Sequence, residues 1–191
     1  MTQCHRCGDE SIIDIRYSGA SLCKEHFAEY VERRVQREIR QQGKLPKEST
    51  LAIAVSGGKD SMSMLSILSR VFQDHRDVEL VTLIVDEGLE GYRENSVKLA
   101  RDYSEELGVP HKVLSFQKTF AITMDEVANL GPEWRPCTFC GVLRRNILNR
   151  RARELECEKI AFGHNLDDMS QSVLMNIVNG DVQRLVRLGP H

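Results

Sequence analysis

Ser56-Gly57-Gly58-Lys59-Asp60-Ser61 follows the apolar run Leu51-Ala52-Ile53-Ala54-Val55 and precedes Met62, Met64, Leu65, Ile67 and Leu68. The run reads as a buried strand, and the later residues read as a helix. A strand, a glycine-rich turn and a helix start, in that order, make an anion site. Gly57 and Gly58 allow the backbone to turn tightly and approach a phosphate with no Cβ in the way. The free N–H groups and the positive dipole end of the helix then face the anion. Lys59 adds a point charge, Ser56 and Ser61 add hydroxyls, and Asp60 completes the loop. The alternative is a glycine-rich turn that binds nothing.

The loop is not of the GxxxxGK[ST] kind, because the first glycine of that pattern would fall at Ile53. Downstream, Val78 to Val85 is almost continuously apolar and ends in Asp86-Glu87-Gly88. It reads as a second parallel strand with an acid, Asp86, at its carboxyl end. Tyr92 to Leu107 reads as an amphipathic helix stopped by Gly108 and Pro110. His111 to Phe116 and Glu158 to Phe162 read as two further strands. The last of these runs into Gly163-His164-Asn165-Leu166-Asp167-Asp168, and a final helix covers about 167–178. This alternation predicts an α/β fold, a doubly wound parallel sheet whose ligands sit at the carboxyl ends of its strands. Three strand ends then carry the phosphate loop, Asp86 and the Asp167-Asp168 pair, acids suited to Mg²⁺. Asp167 also suits a helix N-cap. Asp168 is the better catalytic candidate. His164 also reads simply as a satisfied loop histidine.

Near the N-terminus, Cys4-x-x-Cys7 and Cys23-x-x-His26 are separated by fifteen residues. Each pair presents two ligands from one knuckle, and together they predict a closed Cys3His zinc site. Between them, Ser11 to Tyr17 and the Ser18-Gly19 turn predict a small hairpin. A module of this size has little core, so the metal would supply much of its folding free energy. Phe27, Val31, Val35 and Ile39 then predict a helix, ended by Gly43 and Pro46. The expected domains are a zinc module over 1–30, a basic connector helix over 31–48 and an ATP domain over 49–191.

The 191 residues carry a net charge of −2 and are 41% hydrophobic. No apolar run is long enough to span a membrane, and the N-terminus has no apolar signal core. The expected location is therefore cytoplasmic, where the six cysteines serve as thiolates rather than disulfides. Charge is clustered. Arg33, Arg34, Arg37, Arg40, Lys44 and Lys47 are offset only by Glu38. Arg144, Arg145, Arg150, Arg151 and Arg153 have no acid among them. Each cluster alone reads as a solvated helix face. Two of them beside cysteine motifs point to a nucleic-acid backbone. A lone Cys137-x-x-Cys140 lies between a loop and the arginine-rich helix. It reads equally as a redox dithiol, half of a metal site or iron–sulfur ligands. Cys157 reads as a semi-buried structural thiol.

The loop resembles the pyrophosphate (PP) loop of the N-type ATP pyrophosphatases, whose fold is adenine-nucleotide α-hydrolase-like. The ordered set CxxC…CxxH, SGGKDS, Val85-Asp86-Glu87-Gly88-Leu89-Glu90-Gly91-Tyr92-Arg93, PCTFCG and GHNLDD resembles the tRNA 2-thiouridine synthetases of the TtcA/TtuA group, on its archaeal and eukaryotic-cytosolic branch. The resemblance implies ATP on Ser56 to Ser61 and Gly163, adenylation of a uridine C2 oxygen, release of pyrophosphate, and sulfur transfer. It implies Asp168, Arg144 and Lys59 as catalytic residues, and Cys137 and Cys140 as two of three ligands of a [4Fe–4S] cluster. It implies tRNA and a sulfur donor as partners, the donor being sulfide or a ubiquitin-like thiocarboxylate carrier, and a homodimer. Such enzymes supply the third cluster cysteine downstream, whereas this chain stops at Leu188-Gly189-Pro190-His191. The expectation is thus a C-terminally shortened chain, a fragment or a natural short form, that binds ATP but lacks a complete cluster site. Other readings are a non-catalytic tRNA-binding scaffold and an adenylating amidotransferase-type enzyme.

Overall fold

The structure, a computed structural model, describes residues 2–43, 45–73 and 77–186. Lys44 of the first basic cluster and the terminal Leu188 to His191 lie outside the described residues. The chain divides into two compact units, 1–44 and 45–191.

The first unit holds strands β1 (Ile13–Ile15) and β2 (Ala20–Leu22) and helix α1 (Lys24–Gln41). The strands form an antiparallel hairpin with Ile13 opposite Leu22. Gly19 takes φ +65° in the turn, as a left-handed position favours. Cys4, Ile15, Leu22 and Cys23 are buried together, with Phe27 and Tyr30 of α1 packed against them. Among the described residues this small cluster is the buried apolar core of the unit, a size at which a metal on the cysteines would add much to its stability.

The second unit runs β3 (Ser49–Val55), α2 (Lys59–Phe72), β4 (Val78–Asp86), α3 (Arg93–Glu106), β5 (His111–Ser115), α4 (Phe116–Phe120), α5 (Met124–Asn129), a 3₁₀ turn (Pro132–Trp134), α6 (Pro136–Glu154), β6 (Cys157–Phe162), α7 (Leu166–Val178) and α8 (Val182–Val186). The sheet order is β5-β4-β3-β6, and every pairing is parallel. The doubly wound parallel sheet read from the sequence is therefore present. Its buried runs are apolar on both faces because both faces are covered. Ala52, Val81, Leu83, Val85 and Leu114 pack with Ile147, Leu148 and Ala152 of α6 and with Phe116, Met124 and Val127. The alternating residues Leu51, Ile53, Val55 and Ile84, all buried, face the other way. The chain lays down β3, β4 and β5 in one direction, then returns to place β6 on the far side of β3. The carboxyl ends of β3 and β6 thus flank the point where strand order reverses, where such sheets open a ligand crevice.

The segment between β5 and α6, for which the sequence reading assigned no elements, folds as two short helices and a 3₁₀ turn. Thr123 caps α5 in a reciprocal box with Glu126. The cysteine pair also sits differently from its expected place before the arginine helix. Pro136 occupies the first turn of α6, so Cys137 and Cys140 lie within that helix.

Candidate active site and metal centre

In the second unit, a cavity of roughly 450 Å³ opens at the carboxyl ends of β3 and β6. Ser56, Gly58, Asp60, Ser61, Glu87, Arg93, Arg144, Arg145, Gly163 and His164 are among its lining residues. Its charged walls are thus three arginines against two carboxylates, a balance that favours an anion.

The phosphate loop is built by its own side chains. Gly57 takes φ +84°, and a Cβ there would fall 2.4 Å from the Ser96 carbonyl oxygen, so only glycine fits. Gly58 is the N-cap of α2 and has no side-chain cap, which leaves the first N–H groups of the helix for another acceptor. Ser61 Oγ donates to Gly58 O at 2.9 Å and lies 3.0 Å from Ser56 Oγ; it also accepts from Ser56 N at 3.2 Å. Lys59 is 85% exposed, with Nζ 2.8 Å from Asp60 Oδ1. Asp60 raises the Lys59 ammonium above its ordinary range, with Asp168 and Asp167 adding to the effect. The lysine therefore stays charged while it faces the carboxylates of two strand ends.

Gly163 closes the other side. A Cβ there would lie 2.9 Å from Ser61 Cα and 3.0 Å from the Asp60 carbonyl group, so the loop after β6 presses on the start of α2. His164 lies nearly parallel to Phe162, with ring centroids 5.7 Å apart and planes 13° off parallel. The N-cap of α7 is Asn165, not Asp167. Asn165 Oδ1 accepts from Asp167 N at 2.9 Å and from Asp168 N at 3.1 Å, while Asp168 Oδ2 accepts from Asn165 N at 2.9 Å. Asp168 is thus held in a fixed orientation by the capping box.

At the end of β4, Asp86 Oδ1 accepts from Gly88 N at 3.1 Å. The carboxylate that lines the cavity is its neighbour Glu87, only 2% exposed. Arg93 Nε lies 2.5 Å from Glu87 Oε2 as an ion pair. Arg144 Nη2 lies 2.7 Å from Glu87 Oε1. Arg93 also donates from Nη1 to Ser56 O at 2.8 Å, and from Nη2 to Val85 O. Glu87 and Arg93 were not among the residues singled out from the sequence. The only signal for them was their place in the VDEGLEGYR segment at a strand end.

The α6 side carries Cys137, exposed, and Cys140, half-buried. Arg144 Nη2 donates to Cys140 Sγ at 3.4 Å. Burial pushes the Cys140 thiol up, and Arg144 partly counters it. An iron–sulfur cluster takes cysteines as thiolates, so Cys140 would have to give up its proton to hold one, a loss that Arg144 favours. Cys157, by contrast, lies at the start of β6, where it pairs with Thr50, at the end of the sheet opposite the cavity. Among the described residues, two cysteines, Cys137 and Cys140, thus lie on the helix that walls the cavity.

In the first unit, the ligand atoms of Cys4, Cys7, Cys23 and His26 all lie within 4.8 Å of one another. Cys7 and Cys23 sulfurs are 3.7 Å apart, and His26 Nδ1 lies 3.3 Å from Cys23 Sγ and 3.5 Å from Cys4 Sγ. A tetrahedral zinc with Zn–S bonds of about 2.3 Å separates its ligand atoms by roughly 3.5–3.8 Å, so the four residues fit that ion. Burial acts to raise the Cys4 thiol, but hydrogen bonds from the surrounding backbone outweigh it and bring the thiol down to about 6. His5 stands outside the cluster.

Comparison with known proteins agrees with this geometry. The family profile described as PP-loop domain matches residues 29–187, and that of the 2-thiouridine synthetase TtuA N-terminal LIM domain matches residues 3–28. The chain is 40% identical over 192 residues to the tRNA 2-thiolation protein NcsA of Haloferax volcanii, covering 97% of this chain and 60% of that protein. It is 38% identical to the cytoplasmic tRNA 2-thiolation protein 1 of Drosophila sechellia, covering 95% of this chain and 53% of the relative. The solved structure of the U34-tRNA thiolase NcsA from Methanococcus maripaludis, with its [4Fe-4S] cluster, superposes with a TM-score of 0.86 at 37% identity, covering 97% of this chain and 61% of that one. The chain spans between half and two thirds of the length of these relatives. No described helix is long and apolar enough to cross a membrane. With a PP-loop domain covering most of its length behind a 2-thiouridine synthetase LIM domain, the chain belongs to the PP-loop family and is a homologue of the tRNA 2-thiolation proteins.

Proposed function

We infer that this chain activates a tRNA uridine with ATP for replacement of its C2 oxygen by sulfur. The observation that carries this reading is one cavity lined both by the uncapped phosphate loop and by Gly141, Arg144 and Arg145 of the cysteine-bearing helix, with Arg144 reaching back to Cys140. Phosphate transfer and sulfur delivery then meet in one space. The triphosphate sits on the free N–H groups of Ser56 to Ser61 and against Gly163, with Lys59 beside it. Asp168, near Lys59, would hold Mg²⁺, which would offset the phosphate charge, whereas Asp86 is turned to the Gly88 N–H and is not placed for that role. The uridine C2 oxygen attacks the α-phosphorus, the bond to the β-phosphate breaks, and pyrophosphate leaves. Arg144 stabilises charge on the phosphoryl group as it transfers. A sulfur nucleophile then forms the bond to C2, and AMP leaves carrying the former uridine oxygen.

Cys137 and Cys140 would hold two corners of a [4Fe–4S] cluster, whose chemistry is to bind and deliver sulfide. Cys4, Cys7, Cys23 and His26 would hold structural zinc. The division proposed is a zinc module over 1–30, a basic helix over 31–48 and the PP-loop domain over 49–191. The arginines of α1 and α6 would meet tRNA phosphates and position the substrate without reading its sequence. The sulfur donor is sulfide or a ubiquitin-like thiocarboxylate carrier, the location cytoplasmic, and the assembly a homodimer.

ATP–pyrophosphate exchange, with and without tRNA, tests the reading. Exchange that requires tRNA supports it. ATP left intact under every condition, with tRNA still bound, favours a non-catalytic RNA-binding protein instead.

A further inference from the structure

Glu87 is almost fully buried and is contacted by two cations, and those two differ. Arg93 is itself buried and is fixed by the carbonyl oxygens of Ser56 and Val85, at the ends of β3 and β4. A buried carboxylate needs an opposite charge, and Arg93 meets that need at 2.5 Å. Arg144 is 49% exposed and is not required for neutrality. Left alone, a half-exposed arginine on a helix samples many rotamers. Here its guanidinium is pinned at two points, 2.7 Å from Glu87 Oε1 and 3.4 Å from Cys140 Sγ. The contacts form a continuous line: Ser56 of the phosphate loop, Arg93, Glu87, Arg144 and Cys140.

We propose that Glu87 is the positioning residue of this site. Through Arg93 it is tied to the phosphate loop at Ser56, and it presents the Arg144 guanidinium across the cavity to a polyphosphate anion. The inference rests on the cavity being an ATP site. Glu87 does not touch the ligand; it acts through Arg144. This carries an unusual sign. A carboxylate that merely neighbours an anion site repels the anion, so its removal tightens binding. A carboxylate that holds the binding arginine in place does the reverse.

The test is calorimetric titration of the 191-residue chain, without added iron, using inorganic pyrophosphate. Wild type, Glu87→Gln, Arg144→Ala and the double variant are compared. Arg144→Ala is expected to weaken pyrophosphate about tenfold, and Glu87→Gln severalfold although it removes a negative charge. The double variant is expected to be no weaker than Arg144→Ala alone, since both changes remove one interaction. Equal or tighter binding by Glu87→Gln overturns the proposal, and so do losses that multiply in the double variant, which is the signature of general structural damage. Glu87→Asp guards against misfolding: it keeps a charge for Arg93 but is one methylene too short to reach both arginines. It should melt like wild type and bind severalfold more weakly; wild-type affinity there also overturns the proposal. Absence of pyrophosphate and ATP binding by wild type would instead overturn the ATP reading.

Discussion

Gly163, just beyond β6, lies so close to Ser61 of α2 that a Cβ on the glycine would sit 2.9 Å from the Ser61 Cα. The close atoms are backbone, which cannot rotate away. Gly163→Ala must therefore push the loop after β6 off the phosphate loop. The expected cost is about 1–3 kcal/mol of stability, as for other overpacked sites. Weaker ATP binding should accompany it. Thermal melting and ATP titration check both, and a variant unchanged in both would mean that the two loops do not abut.

Lys59 makes its ion pair with Asp60 in the open, at 85% exposure. Its removal costs the fold little, because exposed pairs contribute little. Lys59→Ala should melt within about 2 °C of wild type, while ATP affinity falls about tenfold. A large drop in melting temperature would show that the lysine is structural.

Asp168 has two jobs to separate. Its carboxylate closes the capping box of α7, and it is the proposed catalytic acid. Asp168→Asn keeps an acceptor for the Asn165 N–H but removes the charge. It should cost under about 1 kcal/mol as a cap and lower ATP–pyrophosphate exchange by roughly a hundredfold or more. Exchange that merely tracks the stability loss would reduce Asp168 to a cap.

Metal removal should act on the N-terminal unit. One zinc per chain is expected by elemental analysis, and Cys23→Ser or a strong chelator should release it. Melting of the hairpin and loss of near-ultraviolet signal from Tyr17 and Tyr30 should follow. The metal needs its cysteines as thiolates. The Cys4 thiol is brought down to about 6, while the Cys7 thiol, beside Asp9, is pushed up to about 12. Protons thus compete with the metal at Cys7 already at neutral pH, and at Cys4 as well once pH falls through about 6. Zinc affinity should therefore drop on acidification and rise again on return to neutral pH. A chain purified without zinc that keeps its hairpin would contradict the closed-site assignment.

The sheet was legible in the sequence because its strands are nearly continuous apolar runs, and the loop because its glycines and lysine stand between such a run and a helix. The Cys3His set was legible from spacing alone. Its atoms do converge, though Cys4 and His26 are 22 residues apart. The helical setting of Cys137 had a readable signal in Pro136, and α5 had one in the Thr123–Glu126 box. Glu87 and Arg93 had none that composition could supply. Arg93 donates to Ser56 from 37 residues away, and a buried ion pair looks in sequence like two surface charges. The acid singled out, Asp86, points its carboxylate at the Gly88 N–H, while its neighbour faces the cavity, as the alternation of a strand requires.

The central claim is that ATP adenylates a tRNA base and that the base oxygen leaves with AMP. Oxygen-18 placed at C2 of the target uridines tests this directly. The full chain would be incubated with labelled tRNA, ATP, magnesium and sulfide, and the nucleotides and digested tRNA analysed by mass spectrometry. The account predicts unlabelled pyrophosphate released in a tRNA-dependent manner and, for every 2-thiouridine formed, one AMP carrying one oxygen-18. ADP as the product, or AMP without the label, would contradict it.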